Sequence, residues 1–500
     1  MHPLLVLANK ITFTHKNYPM IMKHKFLLIL TALLPLPLLA QETAIAMDHE
    51  DEVSEVFTSI DGVTIQEAVR ATQKHGLHWC MMPFLTYSEQ LGFTGKVAGS
   101  LFDFGNAGNF PNYDQLIYGE LSYSTRRAGT LRAYYDSKKL IENFKFDADI
   151  TFQPDALYDF YGFNGYASNY DYYLIQPFYN ENYYIHDNPD YISSTFYRMK
   201  RNYLRAAADI RGIIKDSLGL FWHAGLGLQY YSVGHVDIER YNRGKAPMDQ
   251  LPDTITLYDQ YVNWGLITPA EANGGWHPYI HAGASIDSRD RAINPHRGFY
   301  GDLILTGTFG FGDLSGYTNL KVNFNWKHHV TLWEDVVTLA YMVGGQINIV
   351  GDSPFYLNGT INQLLSQRDM YEGVGGENLP RGMLRNRLLG KGFDYASIEL
   401  RANLLQFKVG KEQLVLSLNP FLDEVMLLQP CDLQGFDENP ATADYFSNST
   451  NQYVPHFSVG CGARVTVSNY FVVSCDWAMP LKEQDNNNLM NLYFTVGYLF

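Results

Sequence analysis

The chain has 500 residues and a formal net charge of -15, with no cluster of Lys and Arg along one face, so nucleic acid is not an expected partner, because phosphate binding needs a basic footprint. Charged residues are 18% and aromatic residues 15%, with 36 Tyr, whereas ordinary soluble domains carry about 25% charged residues. The mean hydropathy of -0.19 is too low for a helical membrane protein but ordinary for a transmembrane barrel, whose lumen face and loops are polar.

The chain begins with targeting signals. Lys23, His24 and Lys25 precede an apolar run from Phe26 to Leu39. Pro35 and Pro37 interrupt the run, and it is shorter than the ~18 residues of a spanning helix. Small residues follow at Ala40, Ala44 and Ala46, so residues 1–46 read as a secretory signal peptide. Cleavage after Ala40 and after Ala46 both fit, and Met20 or Met22 fits as the start. No Cys follows the run, so no lipoprotein anchor is expected. Residues 47–76 are acidic and then helix-like, with Asp61 or Thr64 as cap and Ile65, Ala68, Val69 and Thr72 on one face. A stretch that short is no globular domain. It reads as a short periplasmic segment, either a tail or a helix lying at a barrel mouth.

From residue 77 to residue 500 the pattern changes to segments of alternating apolar and polar residues separated by turn residues. Val322, Phe324 and Trp326 alternate with Lys321, Asn323, Asn325 and Lys327. Leu414, Leu416 and Leu418 alternate with Gln413, Val415, Ser417 and Asn419, a parity that carries on to Asp423. Ser397, Glu399, Arg401 and Asn403 form another polar row. In a strand such rows face opposite sides, here lipid outside and water inside. About sixteen segments can be laid out, from 77–87 to 490–500, including 143–153 and 411–425. The fold expected is an all-β transmembrane antiparallel barrel of about 16 strands. Long gaps at 154–193, 234–276, 350–391, 426–452 and 480–489 all follow odd-numbered segments. They fall at one end, as extracellular loops do.

Single features leave alternatives open. The 154–193 gap holds ten Tyr, including Tyr158, Tyr161, Tyr166 and Tyr170, which suit either loop packing or recognition of a sugar or protein. Cys80, Cys431, Cys461 and Cys475 have no Cys-x-x-Cys spacing, so no zinc or redox site is expected. Cys461 and Cys475 flank Ser468 symmetrically, where a tight turn is expected. They read as either a cross-strand disulfide or two small apolar residues on the lipid face. His328 and His329 are adjacent on a strand and point oppositely, which argues against a metal pair. There is no His-Glu-x-x-His, Gly-x-Ser-x-Gly or Walker loop, so neither enzymatic activity nor a cofactor is expected.

The sharpest candidate site is Leu379-Pro380-Arg381-Gly382-Met383, inside a polar loop, with the strands carrying Glu399, Arg401 and Asp423 downstream. Arg381 alone is compatible with an exposed loop residue. The alternative is a loop folded into the lumen that sets the Arg381 guanidinium against Asp423, a pairing for which the planar fork of Arg is suited. Gly382 would let the tip turn sharply.

Four motifs carry a family resemblance. Pro380-Arg381-Gly382-Met383 resembles the Val-Arg-Gly-Phe/Tyr loop motif, and Phe421-Leu422-Asp423 resembles the Phe-Val-Asp strand that receives the loop Arg, in the BamA/TamA-like outer-membrane assembly superfamily, the bacterial surface antigens. Asp287, Arg289, Asp290, Asn294, Pro295 and Gly298 resemble that family's Asp-x-Arg-Asp…Asn-Pro-x-x-Gly periplasmic turn. Asp476-Trp477-Ala478-Met479-Pro480-Leu481 with the terminal Phe500 resembles its closing hairpin.

The resemblance covers residues 77–500 and implies a sixteen-stranded outer-membrane barrel with a weak seam between first and last strands. Trp79, Gly497 and Phe500 would belong to the seam. In the family the seam admits client strands during insertion or secretion, so the implied partners are outer-membrane lipid, unfolded outer-membrane client proteins and a separate periplasmic partner. The family usually carries periplasmic POTRA domains, for which 47–76 has no room. The alternative is a structural or pore-forming barrel that lost the assembly role with those domains.

Overall fold

A computed structural model describes residues 75–88, 91–106, 113–172, 193–291, 294–310, 316–334, 336–361, 373–376, 379–409, 412–432, 453–467, 471–488 and 491–496. The expected signal peptide, almost all of the 47–76 segment, the Ser468 turn, Gly497 and Phe500 lie outside the described residues.

Sixteen strands close into one antiparallel barrel, each paired with its sequence neighbours and the last with the first. They are β1 Leu77–Ser88, β2 Gly92–Asp103, β3 Gln115–Ser124, β4 Gly129–Ile141, β5 Phe144–Asp159, β6 Arg198–Lys215, β7 Leu220–Gly234 and β8 Gly275–Asp287. The second half is β9 Gly298–Thr308, β10 Asn319–Trp333, β11 Val337–Gly351, β12 Gly392–Val409, β13 Glu412–Gln429, β14 His456–Val467, β15 Phe471–Pro480 and β16 Asn491–Val496.

Burial follows the period of two. On β10, Lys321, Asn323, Asn325, Lys327 and His329 are buried, while Phe324 is 46% exposed. On β13, Ser417, Asn419 and Asp423 are buried, while Leu418 and Leu422 face out. Ladders between neighbouring strands satisfy the backbone polar groups around the ring without water from the bilayer, with the pairing thinnest between β1 and β16 among the described residues.

Two strands run past their expected ends. β5 continues through Pro154 to Asp159, with an irregularity between Asp155 and Tyr158 in its pairing with β6. Pro154, which has no N–H to donate, is still paired with Asn202, and the bulge follows directly after it. β13 continues to Gln429, and its last inward residues, Val425 and Leu427, pack against the loop that follows β11.

The cysteine symmetry is off by one residue. β14 and β15 pair Cys461 with Trp477 and Ala463 with Cys475, so the two thiols are not opposite each other, and both are free.

Described parts of the loops after β5, β7 and β11 fold together at one end of the barrel. Phe160, Phe163, Tyr258, Tyr261 and Phe355 belong to one buried cluster, with the Phe160 and Tyr261 rings 5.2 Å apart and edge-on. Among the described residues are three short helices, α1 Ile238–Asn242, α2 Leu257–Asn263 and α3 Phe355–Asn358, of which α2 and α3 contribute to the cluster. α2 starts with a capping box between Thr256 and Asp259. Of the tyrosines in the expected 154–193 gap, Tyr158, Tyr161 and Tyr170 are buried in this cluster, and Tyr166 is buried against His456.

Candidate functional site

The loop between β11 and β12 turns inward. Val374, Leu379, Met383 and Leu388 pack against Ala340 and Met342 of β11, Phe393 and Tyr395 of β12, and Val425 and Leu427 of β13. This apolar contact sets the depth of the tip, and Arg381 then reaches the wall. Its Nε donates to Asp423 Oδ2 at 2.8 Å and its Nη2 to Oδ1 at 2.9 Å, while its backbone N–H also reaches Oδ2 at 3.0 Å. Ser397 Oγ donates to Asp423 Oδ1 at 2.7 Å. The remaining fork nitrogen, Nη1, donates to Glu399 Oε1 at 2.8 Å, and Arg401 Nε donates to Glu399 Oε2 at 3.0 Å. The Arg381 guanidinium carbon also lies 3.4 Å from the Phe421 ring centroid, a cation–π contact.

The network extends one pair further than the motifs indicated. Arg381 Nη1 lies 3.7 Å from Asp476 Oδ2 on β15, and Arg464 of β14 grips Asp476 through Nη1 at 2.6 Å and Nη2 at 2.9 Å. Arg381, Arg401 and Arg464 thus face Glu399, Asp423 and Asp476, three charges of each sign on four neighbouring strands and one loop. Charges this buried persist only when paired. Arg464 and Asp476 sit on the inward parity of β14 and β15, which was the available signal for them.

The tip also rests on the closing hairpin. Gly382 has a φ of 88°, which favours Gly, and a Cβ there would lie 3.0 Å from the backbone carbon and Cβ of Ala478. Asn486 Nδ2 donates to the Gly382 carbonyl at 2.9 Å and to Asn491 Oδ1, the first residue of β16, at 2.9 Å. Phe421, Ala478 and Tyr493 form a small cluster beside it.

Two further arginines in the same loop were not singled out from sequence. Arg385 crosses to the other side of the ring, where Nε donates to Asp159 Oδ2 at 2.7 Å and Nη2 to Asp155 Oδ2 at 3.2 Å. β5 and β13 stand eight positions apart in the sixteen-strand order, on opposite walls. Arg198 also pairs with Asp159. Burial disfavours the Arg385 charge, but Asp159 and Asp155 outweigh it and hold its pKa above the usual arginine value. Arg387, fully buried, donates to the carbonyls of Gly165 at 2.8 Å, Ser168 at 2.8 Å and Gln484 at 2.7 Å.

Asp485 ties three loops together. Its carboxylate accepts from Tyr166 Oη at 2.5 Å and pairs with His456 Nδ1 at 2.6 Å, and its carbonyl accepts from Leu384 N–H at 2.9 Å. Burial, then the Asp485 charge, raise the Tyr166 pKa well above its ordinary value.

The β8–β9 turn is a separate structure, tied to β10 by Thr331 Oγ1, which donates to the His296 carbonyl at 2.9 Å. Arg289 clasps Asp287 through Nε at 2.9 Å and Nη2 at 2.7 Å. Asp290 Oδ1 accepts from the backbone of His296 at 3.0 Å and of Arg297 at 3.2 Å. Asn294 and Pro295 are buried beneath it, and Asn294 has a φ of 51°. Gly298, at φ 92°, approaches the Ser288 carbonyl too closely for any side chain.

At the seam, β1 pairs with β2 along its whole length, from Leu77↔Asp103 to Ser88↔Gly92. β16 pairs with β15 from Val473↔Val496 to Ala478↔Asn491. Between β1 and β16 the paired position among the described residues is Tyr87↔Phe494. Trp79 faces outward and is 71% exposed. Among the described residues no group of three or more His, Cys, Asp or Glu is placed to hold a metal.

Comparison with known proteins agrees with this architecture. No curated protein matches the sequence. Among solved structures, the fold is similar to BamA from Haemophilus ducreyi lacking POTRA domains 1–3, with a TM-score of 0.51 and 12% identity over 85% of this chain and 70% of that one. CdiB from Escherichia coli, with a TM-score of 0.44 and 12% identity, covers 85% of this chain and 62% of its own. CdiB from Acinetobacter baumannii, with a TM-score of 0.42 and 9% identity, covers 88% and 69%. A family model, the Omp85 superfamily domain, matches residues 161–500. The barrel is an outer-membrane barrel, and the chain belongs to the Omp85 superfamily.

Proposed function

We infer that this barrel aids the insertion or export of other proteins at the outer membrane, with the seam between β1 and β16 as the place where a client strand enters. The observation that carries the reading is the contrast around β16: it is laddered to β15 from Asn491 to Val496, and it meets β1 at Tyr87↔Phe494 among the described residues. Each unmade pair at a seam leaves backbone donors and acceptors that an incoming strand satisfies by β-augmentation. The inward loop favours this reading over a passive pore. Arg381 and Arg385 tie it to opposite walls, and a wide solute path would have to displace these buried ionic pairs.

The loop supports the same function mechanically. Through Gly382, Asn486 and Asn491 it holds the inner face of the closing hairpin, keeping one side of β16 in place while its other edge faces β1. On this reading Arg381, Gly382, Glu399, Arg401 and Asp423 lock the loop to the wall, and the seam residues include Trp79. Outer-membrane lipid surrounds the barrel, unfolded outer-membrane proteins are the clients, and a separate periplasmic partner delivers them.

Disulfide trapping across the seam tests this. Cys pairs are placed along 77–87 and 491–496 in a Cys-free background in membranes, with and without an added client strand. Trapping confined to one end of the seam, and displaced by the client strand, is the expected result. Uniform trapping that ignores the client would make the protein a closed structural barrel and overturn the proposal.

A further inference from the structure

The barrel rim is uneven in height. The loops after β5, β7 and β11 are long, whereas the β3–β4 connection consists only of Thr125, Arg126, Arg127 and Ala128. Just below it, on the outer face, stand Tyr123, Leu121 and Leu131, at 47%, 61% and 56% exposure. An outward Tyr at a strand end belongs at headgroup level in a membrane barrel. At ~3.3 Å per residue, Arg126 and Arg127 lie within about 15 Å of that level.

The long loop after β7 comes down to the same place. Arg127 Nη2 donates to the Arg243 carbonyl at 3.3 Å. The two joined segments, 125–128 and 242–246, contain Arg126, Arg127, Arg243 and Lys245 and no carboxylate. Arg243 is exposed and the other three are partly exposed. The Lys245 ammonium lies 3.3 Å from the Tyr241 ring centroid, a cation–π contact that favours one position for a flexible side chain. The neighbouring acid Asp237 accepts from the Arg240 backbone at 2.9 Å as the cap of α1. With the exposed acids Glu239 and Asp249 of the same loop counted, residues 125–128 and 237–249 hold five cations against three carboxylates, a local positive excess in a chain of net charge -15, at the edge of an apolar outer wall.

We propose that this rim binds the phosphate-bearing headgroup of an anionic membrane lipid, whose acyl chains lie along Leu121, Tyr123 and Leu131. The two halves of the site match the two halves of such a lipid. A soluble anion would use the cations alone and would gain nothing from their place at the edge of the lipid-facing wall. The occupant also fits the setting, because a short hairpin in a bilayer meets headgroups before it meets any soluble protein.

The test uses the full chain folded into neutral phosphatidylcholine nanodiscs doped with lipid A, a bis-phosphorylated glycolipid, with retained lipid read by native mass spectrometry. The variants are the triple change Arg127→Gln, Arg243→Gln and Lys245→Gln, and a control of Lys138→Gln with Lys139→Gln, two exposed cations at the opposite end of β4. Folding of each is checked by heat-modifiable gel mobility. Three surface cations predict a loss of roughly a hundredfold in lipid A preference for the triple variant, with none for the control and release from the unaltered chain at high salt. Equal retention by the triple variant would overturn the proposal. So would inorganic polyphosphate displacing lipid A completely at equal phosphate, because that would mark a soluble-anion site with no contribution from the apolar wall.

Discussion

The loop after β11 is tied to two opposite walls, and the ties differ in kind. At Arg381 every partner is a strand residue or the tip itself, the guanidinium is 1% exposed, and six charges balance. At Arg385 the carboxylates sit at the ragged end of β5, the side chain is 13% exposed, and Asp159 keeps a second cation in Arg198. The first is set by strand register and its three cations are matched by three carboxylates. The second is made at a strand end where loops meet. Losing one member of the first leaves a buried charge of the opposite sign unbalanced, while losing the Arg385 tie leaves Asp159 with Arg198.

That difference orders the expected effects. Asp423→Ala leaves Arg381 with Glu399 alone at hydrogen-bond distance and one buried positive charge of the network unbalanced, and should cost roughly 3–5 kcal/mol, read as a fall in the urea midpoint of the folded barrel in detergent. Asp423→Asn should recover little, because the amide cannot return the charge. Gly382→Val comes next. It places a side chain against Ala478 at positive φ, and should cost about 2–4 kcal/mol by strain and displacement of the tip and weaken protection of the hairpin amides near Asn491. Arg385→Ala should cost only about 1–2 kcal/mol, since Asp159 retains Arg198. A double-mutant cycle between Arg385 and Asp423 should show little coupling if the two walls are independent. A large coupling term would mean that the loop transmits strain across the lumen.

The smallest effect concerns pH. In the loop after β7, His235 lies between Asp259 at 2.7 Å and Asp253 at 2.6 Å. Burial lowers its pKa, but the hydrogen bonds to the two carboxylates outweigh this and raise it above the ordinary 6.5. A raised folded pKa means that the added stability is fully present below 6.5 and is lost as pH rises through the folded value. Protease protection of residues 235–263 should therefore decline modestly across that window, and His235→Gln should abolish the dependence.

Much of the barrel was legible because a lipid outside and a polar lumen inside impose a strict period of two. β10 and β12 read directly, down to which side of the wall Lys321 and Glu399 face. The Arg381 partners followed from parity plus the motif resemblance. Arg385, Arg387 and Asp485 were not legible, because their partners lie 29 to 319 residues away, at strand ends and in loops, and no periodicity encodes how loops pack. The Cys461 and Cys475 register failed for a related reason. A hairpin centre displaced by one residue changes which side chains are opposite each other, and the turn residues there gave no signal strong enough to place it.

The most direct measurement of the central claim is strand-resolved amide hydrogen exchange of the full chain in nanodiscs. The account holds that the loop fixes the β12–β15 wall while the β1–β16 seam yields. It predicts that amides of β12 and β13 facing Arg381 exchange slowest, and that the β1 amides on the β16 side exchange orders of magnitude faster than those on the β2 side. Equal protection on both edges of β1 would contradict it.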